Sequence, residues 1–173
     1  MTGCVFMTAN SSSVNLPGLL STESGTPIFP MSWKIVPTRK SSLAAALKSA
    51  QRPLILAGGG VRSGRAAELL REFVSQTRIP LVHSLMGVDL LPYRHPLRVG
   101  MLGSYGNRWA NWAVGSSDFL LVLGSRLDVR QTGSDTESFG RDRVIFQVDC
   151  DAPEVNSRVV GCTALISPLR DFL

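Results

Sequence analysis

Leu54-Ile-Leu-Ala-Gly-Gly-Gly-Val-Arg-Ser-Gly64, followed by Arg65-Ala-Ala-Glu-Leu-Leu-Arg-Glu-Phe-Val-Ser-Gln-Thr-Arg78, decides the fold. The unbroken apolar run Leu54 to Ala57 predicts a parallel strand covered on both faces. Ala66, Leu69, Leu70, Phe73 and Val74 recur at helical spacing and predict an amphipathic helix. Gly58, Gly59 and Gly60 stand between the two. Glycine permits positive φ and lets a ligand approach the backbone. Amides near a helix N-terminus favour anions such as a pyrophosphate. The spacing Gly58, Gly60, Gly64 is one residue longer than the dinucleotide fingerprint. The acidic residue expected about 20 positions on is also missing. The segment therefore has two readings, a nucleotide-binding turn and a plain tight turn.

The same alternation continues outward. Strands are predicted at Ile79–His83, Phe119–Leu123, Val144–Val148 and Val159–Leu165. A helix over Leu43–Ala50 is expected to be capped by Ser41 or Ser42. Another runs from Tyr105 to Val114, with Tyr105, Trp109, Trp112 and Ala113 on one face, expected to pack in the core. Residues 84–96 form an excursion whose end, Leu97 to Gly103, is apolar with two glycines. Leu127 to Asp142 is a polar loop, longer than a plain connection needs. Ser167 and Pro168 supply a cap and a first-turn proline for a final helix. That helix stops in its second turn, so the chain is expected to be a piece of something longer. Residues 1–40, with four prolines and two serine-rich stretches, read as an N-terminal arm or linker with at most a short strand near Trp33–Val36. Strands alternating with helices imply an α/β fold. It is a doubly wound, mostly parallel sheet of five to six strands with helices on both faces, Rossmann-like, over residues 41–173.

Composition excludes several classes. A chain of 173 residues, 44% hydrophobic and 18% charged, has the makings of one packed domain. No apolar run approaches the roughly 20 residues of a membrane span, and no signal peptide is visible. The net charge of +5 comes from scattered arginines, with no basic run or basic-aromatic cluster of the kind nucleic acid requires. Cys4, Cys150 and Cys162 lack metal-ligand spacing and suggest reduced thiols in a cytoplasmic protein. There is no nucleophile elbow, zincin helix or Walker loop. Of the two histidines, His95 looks like a turn residue. His83, at a strand end, is the one candidate for acid–base work.

Parallel sheets of this kind bind ligands outside the carboxyl ends of their strands. Four predicted strand ends carry suitable groups: Gly58 to Gly60, His83 to Met86, Gly124 to Arg126 with Asp128 and Arg130, and Asp149 to Asp151. Arg126 and Arg130 could fork onto phosphate. Asp149 or Asp151 could accept from ribose hydroxyls. Equally, Arg126 could pair with Asp128 or Asp149, and the aspartates could cap the helices that follow.

The segments Pro80 to Gly87, His95 to Gly103, Asn107 to Val114, Ser117 to Arg126 with Asp128 and Arg130, and Val144 to Val155 resemble the central domain of thiamine-diphosphate-dependent enzymes, nearest the acetolactate-synthase type. The resemblance covers about Leu43 to Leu173, and residues 24–36 faintly resemble the end of the preceding pyrimidine-binding domain. It implies a six-stranded parallel sheet of the NAD/FAD-binding type related to deoxyhypusine synthase. In that family this domain holds FAD, an ADP moiety or nothing. Carried over by position, cofactor contacts fall on Gly58, Gly59 and Gly60; on Ser84, Leu85 and Met86; and on Leu102, Gly103, Ser104 and Tyr105. They continue with Gly124, Arg126, Asp128 and Arg130, and with Asp149 and Asp151. Ser104-Tyr105 replaces the usual Met-His, and Leu127 and Val129 also depart from the pattern. The resemblance assigns thiamine diphosphate and Mg²⁺ to two outer domains, whose Gly-Asp-Gly motif and activating glutamate do not occur here.

The expected function is therefore a central scaffold and FAD- or ADP-binding domain, without activity of its own, of a parent enzyme that is expected to be a homo-oligomer. Its partners are the pyrimidine- and diphosphate-binding domains or subunits. A free-standing regulatory module that binds an adenine nucleotide is the alternative, and a small sirtuin-like NAD enzyme is a third reading.

Overall fold

The apolar run of residues 54–57 lies at the centre of a sheet, as β1 (Pro53–Ala57). The computed structural model describes the backbone of residues 37–173 and the side chains from residue 41. The N-terminal arm, with Cys4 and the strand expected near Trp33–Val36, lies outside the described residues. Five strands follow: β2 (Leu81–His83), β3 (Arg98–Met101), β4 (Phe119–Leu123), β5 (Val144–Asp149) and β6 (Thr163–Ile166). Their order is β3-β2-β1-β4-β5-β6, and every neighbouring pair is parallel. Ile55 stands beside Leu81 on one side and Leu121 on the other, and Leu121 beside Phe146. The strand order reverses between β1 and β4, which opens a crevice at their carboxyl ends.

Side chains alternate across the sheet, so each face has its own core. Ile55, Ala57, Leu121 and Phe146 point to one face. There α1 (Pro37–Ser49) contributes Leu43 and Leu47, and α3 (Ala67–Thr77) contributes Leu70, Phe73 and Val74. Leu54, Leu56, Leu120 and Val122 point to the opposite face, where Ala110 and Val114 of α4 (Arg108–Ser116) pack. No helix among the described residues is long and apolar enough to cross a membrane.

Several local expectations change. α1 begins at Pro37 rather than near Leu43, because proline suits the first helical turn. The three glycines lead first into a short helix, α2 (Gly59–Ser63), and α3 starts only after a turn at Arg65, φ 52°. Gly58, Gly59 and Gly60 are not at positive φ. A Cβ on Gly58 would lie 2.7 Å from Ser125 Cα, and one on Gly60 2.7 Å from Gly124 Cα. These glycines serve close approach of two backbone segments, and the positive φ belongs to their partner Gly124, at 58°.

β3 has no counterpart among the strands expected from sequence, and β6 runs over Thr163–Ile166 rather than Val159–Leu165. The loop 127–142 contains two short helices, α5 (Val129–Thr132) and α6 (Thr136–Gly140). In the last helix, α7 (Leu169–Phe172), Pro168 takes the cap position expected of Ser167.

The aromatic face predicted for the core is on the surface. α4 starts at Arg108, where Asn107 Oδ1 accepts from Ala110 N at 2.7 Å, so Tyr105 precedes the helix. Trp109 and Trp112 are each 66% exposed and Tyr105 82%. The small residue Ala110 and Val114 allow α4 to lie close to the sheet, which turns the bulky indoles outward.

Candidate functional site

A cleft of about 600 Å³ opens at the carboxyl rim of the sheet. Five strand ends build it. Gly59 and Gly60 come after β1; Ser84, Leu85 and Met86 after β2; Met101, Leu102 and Tyr105 from β3 and its loop. The β4 end supplies Gly124, Ser125 and Arg126, then Asp128, Arg130 and Gln131; the β5 end supplies Asp149, Asp151 and Glu154. Thirteen of the sixteen residues carried over by resemblance thus line one space.

Three do not. Gly58 sits behind the cleft, its N–H donating to Leu123 O at 2.8 Å. Gly103 and Ser104 line a neighbouring, shallower depression. Asn111 holds Gly103 from both sides: Gly103 N–H donates to Oδ1 at 2.8 Å, and Nδ2 donates to Gly103 O at 3.1 Å. Ser104 N–H donates to Arg130 O at 2.8 Å.

The glycine turn offers an anion less than its composition suggests. Gly60 N–H is committed to Gly124 O at 2.9 Å, as Gly58 N–H is to Leu123 O. α2, which follows, is only five residues long. Positive charge in the cleft therefore comes from side chains, those of Arg126 and Arg130. Arg126 faces Glu154 at 3.6 Å, rather than Asp128 or Asp149. Asp128 accepts from Arg130 N at 2.7 Å and caps α5, and Asp149 Oδ1 accepts from Asp151 N at 3.1 Å. The capping role expected of the strand-end aspartates is not taken by Asp151, which precedes the turn Ala152–Glu154 without a side-chain cap bond; Asp128 takes it for α5 instead. Leu127, between Arg126 and Asp128, is buried at φ 55°. Non-glycine residues hold that conformation only where their surroundings impose it. Here the buried side chain lies in the core under α4.

The apolar part of the lining is Leu85 and Met86, both 65% exposed, together with Tyr105. Ser84 behind them is buried, and its Oγ has no hydrogen-bond partner. An unsatisfied buried hydroxyl at the edge of a cleft is a group that a ligand can satisfy.

Sequence reasoning missed Ser125, Gln131, Glu154 and the buried Gln147. Gln147 Nε2 donates to Ser125 O at 3.0 Å and to Glu154 O at 3.4 Å; its Oε1 accepts from Asn156 N at 3.3 Å. One amide thus ties the β4 loop to the β5 loop. A glutamine inside the strand run Val144 to Val148 was the available signal.

His83, the candidate for acid–base work, is 1% exposed and does not line the cleft. Its Nδ1 meets Ser84 O at 3.0 Å, and its Nε2 is buried without a partner. Burial lowers its pKa below the ordinary value, with Arg98 acting the same way against the Ser84 contact. A histidine so enclosed is not presented to a substrate in the cleft, as the sirtuin-like reading would need. Among the described residues, no group of three or more His, Cys, Asp or Glu side chains is placed to hold a metal ion.

The family model described as thiamine pyrophosphate enzyme, central domain, matches residues 41–173. The chain is 31% identical to the acetolactate synthase large subunit of Lactococcus lactis over 164 residues, 95% of this chain and 27% of that protein. It is 37% identical over 140 residues to the probable acetolactate synthase large subunit of Methanocaldococcus jannaschii, covering 79% of this chain and 23% of that one. Against the acetolactate synthase large subunit of Corynebacterium glutamicum the identity is 41% over 124 residues, 72% of this chain and 20% of the relative. The chain spans about a quarter of the length of the curated relatives it matches.

Proposed function

Because this chain belongs to the family of thiamine pyrophosphate enzyme central domains, we propose that it is the scaffold of an acetolactate-synthase-like enzyme and that its cleft holds an adenine nucleotide, FAD or ADP. The observation that carries the second part is the convergence of five strand ends on one cleft that contains Arg126, Arg130 and the unsatisfied Ser84 hydroxyl. In this reading residues 41–173 are the domain and residues 1–40 an arm leading into it. Thiamine diphosphate, Mg²⁺ and the chemistry on 2-oxo acids belong to the two other domains or subunits of a homo-oligomeric parent.

The donor set suits such a ligand. Guanidinium groups pair with phosphate through forked, charge-assisted hydrogen bonds, which assigns the phosphates to Arg126 and Arg130. Leu85, Met86 and Tyr105 offer faces against which a planar ring can lie. Asp149 and Asp151 are acceptors for ribose hydroxyls. The nucleotide supplies a planar ring system and a polyanionic tether; this chain supplies binding and orientation. Gly59 and Gly60 line the cleft with backbone alone, since a Cβ would fall 2.9 Å from Met86 Cβ on the first and 2.7 Å from Gly124 Cα on the second.

Titration calorimetry of the 173-residue chain with ADP and with FAD tests the proposal. Binding of either is expected, with Arg126→Ala and Arg130→Ala each weakening it by about 1.5–3 kcal/mol, roughly ten- to a hundredfold, as for a hydrogen bond to a charged group. No heat with either nucleotide overturns the proposal.

A further inference from the structure

The cleft is short of positive charge. Two arginines, Arg126 and Arg130, share it with the carboxylates of Asp128, Asp149, Asp151 and Glu154. The amides of Gly58 and Gly60, which could have offset this, are bonded elsewhere. Asp128 is occupied as a helix cap and Asp149 in its turn with Asp151 N. Glu154 differs. Its carboxylate reaches across from the β5 loop to Arg126, Oε1 to Nη1 3.6 Å, while its backbone is held in place. Gln147 Nε2 and Ser157 Oγ both donate to Glu154 O. The main chain is fixed and the acidic end rests on the cationic group of the cleft.

We propose that Glu154 is a built-in competitor for Arg126: its carboxylate holds the guanidinium until the phosphate of an incoming ligand displaces it. The inference rests on the nucleotide reading of the cleft and adds a selection rule to it. A ligand must carry enough negative charge to displace a carboxylate and to tolerate the acidic residues beside it. Diphosphates meet that requirement, and uncharged nucleosides gain nothing from Arg126. Displacement also frees the Glu154 carboxylate to swing toward solvent, so the cleft has two electrostatic states, ligand-free and ligand-bound.

The size of the effect follows from exposure. Arg126 is 68% exposed and Glu154 32% in the pair, so the contact is screened and modest. Exposed ion pairs are worth about 0.2–1 kcal/mol. Removing the competitor should therefore tighten an anionic ligand by roughly one-and-a-half- to fivefold.

The experiment is titration calorimetry of the wild-type chain, Glu154→Gln and Glu154→Ala with ADP, inorganic pyrophosphate and adenosine, at low and at high salt. Glutamine keeps the shape and the backbone contacts, and alanine removes the side chain, so the two variants control for each other's packing changes. Both are expected to bind ADP and pyrophosphate more tightly than wild type, with adenosine unchanged and the gain shrinking as salt screens the site. ADP affinity that stays the same or falls in both variants overturns the inference, as does an equal gain for adenosine. Absence of ADP binding to wild type and variants alike overturns the nucleotide reading itself, and the inference with it.

Discussion

Replacing Gly58 by alanine should damage this protein more than any surface change, although the residue lies behind the cleft. A Cβ there would fall 2.6 Å from Ser125 Cβ and 2.7 Å from Ser125 Cα, and closer still to Gly124 O. These partners are backbone and a side-chain root, so none can rotate away. The β1 turn must move off the β4 turn. That movement strains or breaks two bonds, Gly58 N–H to Leu123 O at 2.8 Å and Gly60 N–H to Gly124 O at 2.9 Å. Overpacking of a closed site costs about 1–3 kcal/mol, and a buried backbone group left unpaired a further ~1–3 kcal/mol. The sum, about 2–6 kcal/mol, is a large part of the roughly 5–15 kcal/mol that holds an ordinary domain together. Gly115→Ala is the internal control. Gly115 lies in α4, and a Cβ added there would meet nothing within 4 Å, so alanine should stabilise by up to about 1 kcal/mol through helix propensity. Urea unfolding followed by circular dichroism measures both, through shifts of the midpoint at constant slope. A Gly58→Ala variant as stable as wild type would refute the idea that these glycines exist for backbone contact.

Other perturbations follow from the same contacts. Gln147→Leu should cost about 2–4 kcal/mol, since it takes their buried partner from Ser125 O and Asn156 N, while Glu154 O keeps Ser157 Oγ; denaturant midpoints measure it. His83 is neutral in the fold with a lowered pKa, because burial opposes its charge. The unfolded chain therefore binds the proton first, and stability should be complete above the ordinary histidine value of about 6.5 and fall as pH drops below it. In His83→Asn that slope should disappear, and melting temperatures at a pH of about 7.5 and about 5.5, on either side of that value, show it. Burial pushes the Cys162 thiol up to about 11, whereas Cys150 is exposed. Iodoacetamide at neutral pH should label Cys150 in the native protein, and Cys162 only after unfolding, as located by mass spectrometry.

The fold was legible because its strongest signals come from buried strands. Leu54 to Ala57 and Phe119 to Leu123 are buried on both faces, so their apolar runs are unbroken. β3 gave no such run. It is an edge strand, only partly buried apart from Gly100, and Arg98-Val-Gly-Met101 carries neither a continuous run nor a clean alternation. In α4 the helical period was readable but the buried face was not. Aromatic residues attract a core assignment, whereas close packing on the sheet selects Ala110 and Val114 and leaves Trp109 and Trp112 outside.

The rim of the sheet was legible through topology, since parallel order alone sends strand ends to one side. The network within that rim was not. Glu154 meets Arg126 across two loops, and Gln147 joins those loops from inside a strand. Both contacts depend on how β4 and β5 are registered, which no local pattern encodes. The glycine triplet shows the limit most clearly. Its composition suggested a phosphate cradle, but the amides of Gly58 and Gly60 are spent on the backbone of the β4 turn.

If the cleft rimmed by Gly59–Gly60, Ser84–Met86, Arg126 and Asp149 is where this domain holds a nucleotide, a crystal of the chain grown with saturating ADP must show it. The bound molecule should lie in that cleft, with phosphate oxygens within hydrogen-bonding distance of Arg126 and the Glu154 carboxylate turned away from it. Nucleotide bound at another surface, or a cleft that stays empty while Arg126 and Glu154 remain paired, would show the assignment to be wrong.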